Sequence, residues 1–308
     1  MKKRTLFFCF ILMSSFFIAC EKEIDVSLVA SQKSLVVEGK IEENQLPFVF
    51  LTYSIGFFQK IDLSNVTYAS GAKVKVTDVN SNTVLNLKEY NIDSTVNGQN
   101  FKFVIYGPDI NDPNALNFKG QKEHVYKLEI ELDSKTYTSF TKIPDNPGID
   151  SLWLEKVPNS NDSFSVVKGF YKDADSLGNA IIYENRKLFY QKNNDQNFYR
   201  PFNYAFDDQF INGTKVPLNI DIGFDRTADN DDDFFRTLNY LKKGDTVDLR
   251  WLSIDKAVYD FWNSLNYSSN STGNPFAAPT SVKSNIQGGA LGVWAGYGVF
   301  EYRIIDSL

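Results

Sequence analysis

A period-two alternation of apolar and polar side chains does most to limit the folds that this chain can adopt. In the clearest case, one face of an alternating run consists of Tyr126, Leu128, Ile130 and Leu132. A turn over residues 133–135 follows, and the alternation then resumes. Successive side chains of a β-strand point to opposite faces of its sheet, so residues 125–143 are predicted to form a β-hairpin.

Short segments of the same kind fill the chain ahead of this hairpin. They lie at residues 35–41, 48–54, 72–77, 83–87 and 101–105. Several short strands separated by turn residues are typical of a sandwich of about 100 residues. We therefore predict a mainly β protein whose first domain, residues 34–143, is an immunoglobulin-like or transthyretin-like β-sandwich.

Two prolines mark the predicted end of that sandwich. Pro144 and Pro147 interrupt strand formation, and residues 144–149 are predicted to be a linker. Residues 150–308 are predicted to form a larger β-rich domain with one short amphipathic helix. Asp255 is the predicted N-cap of this helix, and its apolar stripe consists of Val258, Phe261, Trp262 and Leu265.

The beginning of the chain has the order of a bacterial secretory signal. Basic residues at positions 2–4 precede a mostly apolar run over residues 6–19, and Cys20 follows directly. This run is shorter than the roughly 20 residues of a membrane-spanning helix, but it suits a signal peptide. We predict a lipoprotein signal peptide at residues 1–19, lipidation of Cys20 and a tether at residues 20–33. An ordinary secretory signal cut nearby is the alternative.

Acyl chains on Cys20 would anchor the mature protein at a membrane. The acidic residues Glu21, Glu23 and Asp25 loosely resemble a signal that sends lipoproteins to the cell surface. A solvated acidic linker explains them equally well. The predicted localisation is therefore a lipid-anchored position at the outer membrane, with exposure at the cell surface left open.

The charge and the scarcity of two residue types exclude several functions. Removal of residues 1–19 leaves 29 basic against 38 acidic residues, which disfavours nucleic-acid binding because phosphate contacts need basic patches. The cysteines are Cys9 and Cys20, and the one histidine is His124. Thiolate or histidine metal sites, cysteine nucleophiles and Ser-His-Asp triads are therefore not expected. We predict that the protein is not an enzyme.

Two groups of residues are candidates for binding. Aromatic residues that could stack on a sugar or anchor a protein partner are Trp251, Trp262, Trp294 and Tyr297. Core packing is the competing and favoured interpretation of these side chains. Alternate carboxylates that could serve as oxygen ligands of Ca²⁺ are Asp229, Asp231 and Asp233. A solvated acidic loop is the favoured interpretation there, because Phe234 and Phe235 stand where a calcium loop would continue. No other cofactor is expected.

Five short motifs follow one another along nearly the whole chain. They are Leu35-Val36-Val37-Glu38-Gly39, Leu51-Thr52-Tyr53-Ser54, Ser70-Gly71-Ala72-Lys73-Val74, Gly244-Asp245-Thr246-Val247 and Asn285-Ile286-Gln287-Gly288-Gly289. Together with the Cys20 signal and the helix that carries Tyr259, they resemble the lipoprotein family catalogued as domain of unknown function 4249. The resemblance implies an outer-membrane lipoprotein that accompanies a TonB-dependent receptor, and it implies no catalytic residues.

The favoured hypothesis is therefore an accessory or binding lipoprotein that works with a TonB-dependent receptor in the uptake of a nutrient ligand. It would contact the lipid bilayer through its acylated N-terminus. A surface adhesive or structural lipoprotein is the alternative. A glycan-acting enzyme that uses paired carboxylates is the least favoured hypothesis, because the usual nucleophile and base residues are missing.

Overall fold

The structure is a computed structural model that describes residues 33–55, 66–96, 99–158, 164–189, 196–228, 230–271 and 281–307. The predicted signal peptide, Cys20 and most of the tether lie outside the described residues. Within them β-strands dominate, which confirms the predicted mainly β class.

The strands of the described residues form one large and one small sheet. In chain order they are β1 (Leu35–Glu42), β2 (Phe48–Tyr53), β3 (Lys73–Asp78), β4 (Thr83–Val96), β5 (Gln99–Gly107), β6 (Val125–Leu132), β7 (Lys135–Lys142), β8 (Ser151–Lys156), β9 (Ser165–Lys172), β10 (Ala180–Leu188), β11 (Ala205–Asp207), β12 (Lys215–Ile220), β13 (Thr246–Ile254) and β14 (Leu291–Ile305). The helices are α1 (Pro113–Leu116), α2 (Asp232–Thr237) and α3 (Lys256–Ser271). The large sheet has the order β11-β10-β13-β14-β1-β2-β5-β4-β3-β6-β7, and the small sheet has the order β12-β9-β8.

The predicted hairpin is confirmed as β6 and β7. The two strands pair antiparallel from Val125 opposite Lys142 to Leu132 opposite Lys135. Asp133 and Ser134 connect them, and both residues have a positive φ. Two left-handed residues in succession match the right-handed twist of the flanking strands, which is why they make a tight hairpin turn.

Strands β1 to β7 are neighbours in the large sheet, and the core that they enclose includes a side chain from the far end of the sequence. Trp294 on β14 is fully buried in this core, and its indole Nε1 donates a hydrogen bond to the backbone oxygen of Tyr126 at 3.0 Å. At the edge of the sheet, β7 also approaches β14, where the Thr141 hydroxyl accepts a hydrogen bond from the Gly296 amide at 2.8 Å. The core of β1 to β7 therefore depends on β14.

The backbone that leaves β7 crosses β14 at a distance that only glycine allows. A Cβ atom on Gly296 would lie 2.5 Å from the oxygen of Lys142, and one on Gly298 would lie 2.2 Å from the oxygen of Pro144. Asn146 then fixes the predicted linker, because its side-chain amide donates to the backbone oxygens of Trp251 at 2.7 Å and Gly298 at 2.8 Å.

The large sheet continues across the predicted domain boundary. β1 pairs in parallel with β14 from Val36 opposite Leu291 to Glu42 opposite Tyr297. The segments 34–143 and 150–308, which we predicted as two domains, thus share hydrogen bonds along a whole strand. Separate expression of the two segments tests whether either of them is a folding unit.

The sheet strands β10, β13 and β14 separate two cores. On one side, Leu249 and Trp251 pack with residues of the small sheet such as Tyr171. On the other side, Leu252 packs beneath α3 with Trp262. The layer order is therefore small sheet, large sheet and helix. No helix of the described ranges is long and apolar enough to cross a membrane.

The predicted helix is confirmed as α3, with its predicted cap. The Asp255 carboxylate accepts a hydrogen bond from the Val258 amide at 2.9 Å. Val258 and Trp262 are buried under the helix, as the apolar stripe predicts. This packing places Trp262 against the face of the large sheet that α3 covers.

Candidate binding cleft

A lattice of opposite charges covers the outer face of β10, β13 and β14 next to α3. In two neighbouring rows, directly opposed residues are Glu184, Arg250 and Glu301, and then Arg186, Asp248 and Arg303. Cross-strand neighbours of opposite charge stabilise a sheet modestly when they are exposed. Several members of this lattice are largely buried, so their pairing affects the stability of this sheet more than exposed pairs would.

Arg250 is the centre of the lattice. It donates to Glu42 Oε2 at 2.6 Å and also to Glu184, and all three side chains are less than 15% exposed. Burial by itself raises the pKa of Glu42, but Arg250 and Lys40 outweigh it and hold that pKa below its usual value. Burial by itself lowers the pKa of Arg250, and the two carboxylates outweigh it and raise that pKa. Glu42 and Arg250 therefore stay charged at neutral pH.

A cleft of about 280 Å³ opens beside Arg250, between the sheet and α3. Its lining combines charged and aromatic side chains, chiefly Glu38, Lys40, Phe48, Phe50, Arg200, Trp262 and Tyr297. Trp262 Nε1 donates to the hydroxyl of Tyr297 at 3.1 Å, and the hydroxyl of Tyr204 donates to the backbone oxygen of Trp262 at 3.1 Å. These bonds fix the aromatic wall of the cleft.

A second depression of about 420 Å³ adjoins the cleft and shares Glu184, Arg200 and Trp262 with it. The Arg200 guanidinium carbon lies 3.8 Å from the centre of the Trp262 ring system, so Arg200 stacks on the indole. Arg226 also lines this depression, and its guanidinium carbon lies 5.7 Å from the Phe224 ring centre. We call the two depressions together the arginine cleft.

The structure separates the four aromatic residues that the sequence proposed as contact residues. Trp262 and Tyr297 meet in the arginine cleft. Trp251 and Trp294 are fully buried in two different cores, so the surface-contact role considered for them is wrong. Trp251 packs among aromatic side chains, with its ring centre 5.4 Å from that of Tyr171. Large aromatic residues contribute most when they fill a core, which was the favoured interpretation.

The three aspartates proposed for Ca²⁺ have different surroundings. Asp229 lies outside the described residues. Asp231 is the N-cap of α2, where its carboxylate accepts a hydrogen bond from the Phe234 amide at 2.7 Å. Asp233 lies in the first turn of that helix and pairs with Arg236 at 3.5 Å. The described ranges contain no group of three acidic, histidine or cysteine residues arranged for a metal ion. The calcium site stays a prediction.

The charged half of the cleft was not predicted from the sequence. Its signal is nevertheless present as an acidic residue two positions before an arginine in three strands: Glu184 and Arg186, Asp248 and Arg250, Glu301 and Arg303. Residues two apart on a strand share a face, so each segment predicts a charged stripe. Which stripes lie side by side depends on the sheet order, which is not local information.

Comparison with known proteins assigns the chain to a family. The model of the family described as "Domain of unknown function (DUF4249)" matches residues 21–303, which is nearly the whole chain. A comparison with curated proteins finds no match. The resemblance seen in the five motifs is thereby confirmed, and the chain belongs to the DUF4249 family.

Proposed function

We propose that this protein is an outer-membrane-anchored binding lipoprotein that works with a TonB-dependent receptor in the uptake of a nutrient ligand. The observation that carries the proposal is the arginine cleft. Binding sites are concave, largely aromatic or apolar, and contain a few oriented polar groups. Arg200 stacked on Trp262, with Tyr297 bonded behind it, has this composition.

The carboxylates of the cleft support binding rather than catalysis. A general acid at neutral pH needs a raised pKa. The pKa of Glu42 is lowered instead, since Arg250 and Lys40 outweigh the effect of its burial. Burial raises the pKa values of Asp173 and Asp221, but neither residue lines the arginine cleft. Glu42 is therefore suited to orienting Arg250 rather than to donating a proton.

The anchoring part of the proposal rests on the sequence around Cys20. An apolar run that is too short to span a bilayer and ends in Ala19-Cys20 is the order that lipoprotein processing requires. Several acyl chains on one residue hold a protein at a membrane far better than one chain does. The receptor partnership rests on the resemblance to the lipoprotein family.

Purification from membranes in mild detergent tests the partnership. The full chain carries an affinity tag behind its last residue, and the proteins that it retains are identified by mass spectrometry. We expect a TonB-dependent β-barrel protein to be retained in amounts comparable to the lipoprotein. Cys20→Ser is the matched control, because it removes the anchor and should abolish this retention. Repeated recovery of the wild-type lipoprotein without a β-barrel partner would contradict the proposal.

A further inference from the structure

We propose that the arginine cleft binds the anionic group, a carboxylate or a phosphate, of a small organic ligand, and that Arg200 and Arg226 receive it. This inference rests on the proposed binding function, and it adds the chemical class of the ligand. Its basis is that Arg226 is held in place by neutral groups, and that Arg200 shares the carboxylate of Glu184 with Arg250.

Arg226 is positioned without a carboxylate. Its guanidinium donates to the backbone oxygen of Pro201 at 2.9 Å and to the side-chain oxygen of Asn270 at 3.4 Å. It makes no ion pair within 4.0 Å in the part of the chain that the structure describes. Neutral acceptors orient a guanidinium but do not cancel its charge. Arg226 therefore keeps a positive charge at the wall of the depression.

Arg200 is positioned by an aromatic ring. Stacking on Trp262 uses the flat face of the guanidinium, so the ring does not occupy the N–H groups at its edge. The nearest carboxylate oxygen, on Glu184, is 3.7 Å from Nη2, which is an ion pair but longer than a hydrogen bond. Glu184 already accepts a hydrogen bond from Arg250. The Nε atom of Arg200 has no hydrogen-bond partner among the described residues.

The local charge contrasts with that of the whole protein. The chain carries a net charge of −6, yet the charged lining of the second depression consists of Arg200, Arg226 and Glu184. A fixed pair of guanidinium groups suits the planar carboxylate or the phosphate group, which accept two parallel hydrogen bonds. The surrounding rings of Tyr204, Phe224 and Trp262 suit an apolar or aromatic ligand body.

Two probes of nearly equal shape isolate the role of the charge. Benzoate and benzamide differ mainly in the negative charge, and phenyl phosphate presents the phosphate alternative. Their binding to the detergent-purified full chain is measured by ligand-observed NMR titration at low ionic strength. We expect benzoate or phenyl phosphate to bind at least roughly tenfold more tightly than benzamide. The tighter of the two anions identifies the preferred group.

Variants locate the binding. Arg200→Gln and Arg226→Gln should each weaken the tighter anion by roughly tenfold and leave benzamide unchanged. Arg200→Lys keeps the charge but loses the planar fork, so it should retain part of the binding. Arg236→Gln, on an exposed arginine of α2 outside the cleft, is the matched control and should bind as the wild type does. Thermal unfolding confirms that each variant is folded.

Three results would overturn the inference: equal affinity for benzoate, phenyl phosphate and benzamide, no binding of either anion, or unchanged anion binding in both folded Gln variants. Retention of a β-barrel partner together with any of these results would leave the proposed function standing and refute only the ligand class. Loss of the partner together with specific anion binding would refute the receptor partnership instead.

Discussion

Removal of the central arginine of the charge lattice should strongly destabilise the protein. Glu42 and Glu184 are 11% and 14% exposed in the wild-type protein, and Arg250→Ala removes their main cation. Breaking a buried ion pair by deleting one partner typically costs about 3–5 kcal/mol, because an uncompensated charge remains buried. We therefore expect the free energy of unfolding to fall by about 3–5 kcal/mol, measured by urea denaturation at pH 7.

The matched control is Arg303→Ala on the same face of the sheet. Arg303 is 60% exposed, and its partner Asp248 keeps a second ion pair with Arg186 at 2.9 Å. Its removal leaves the buried Asp248 paired with Arg186, so this variant should lose only about 1 kcal/mol of unfolding free energy, clearly less than Arg250→Ala. Equal losses in the Arg250 and Arg303 variants would refute the assignment of Arg250 as a buried charge centre.

The effect of the Arg250 variant should depend on pH. The pKa of Glu42 is lowered in the folded protein despite its burial, because of Arg250 and Lys40, so its contribution to stability is present above the usual value of 4.5. That contribution is lost as the pH falls through the lowered folded-state pKa. In Arg250→Ala, protonation of the buried Glu42 carboxyl relieves the destabilisation at low pH. The difference in the free energy of unfolding between the wild type and Arg250→Ala should become smaller below about pH 4.5. A difference that stays constant down to about pH 3 would contradict this account.

Three further predictions concern the fold. Asp255→Ala removes the cap of α3 and two hydrogen bonds that Asp255 accepts from β7. Urea denaturation should show that the free energy of unfolding falls by about 2–3 kcal/mol, and a fall below about 0.5 kcal/mol would contradict the two roles of Asp255 as helix cap and as partner of β7. Gly39→Ala places a Cβ 2.7 Å from the Trp294 ring, so the free energy of unfolding should fall by about 1–3 kcal/mol in urea denaturation. Gly107→Ala should lower it less, because the atom nearest to the added Cβ is 4.0 Å away. The isolated segment 34–143 lacks β14 and should show no cooperative thermal unfolding by circular dichroism; a cooperative transition would show that it folds alone.

Local patterns in the sequence predicted the local elements well. The alternation over residues 125–143 became β6 and β7, and the Asp255 cap with its apolar stripe became α3. In both cases the signal is local, because side-chain periodicity depends only on residues that are close together in the sequence.

Non-local pairing could not be predicted in this way. Nothing in residues 35–42 indicates that β14, about 250 residues later, is their parallel partner. The same limit explains the arginine cleft. Arg250 alternates with buried residues as any exposed strand residue would, and only the register of three strands brings it between Glu184 and Glu301. Burial of Trp251 and Trp294 likewise depends on which faces the assembled sheets cover.

The anchor at Cys20 is the claim on which the proposed location and partnership both depend. Mass spectrometry of the N-terminal peptide of the protein extracted from membranes tests it directly. We predict that this peptide begins at Cys20 and carries acyl chains on the cysteine. A mature protein that begins at another residue, or at an unmodified Cys20, would contradict the account.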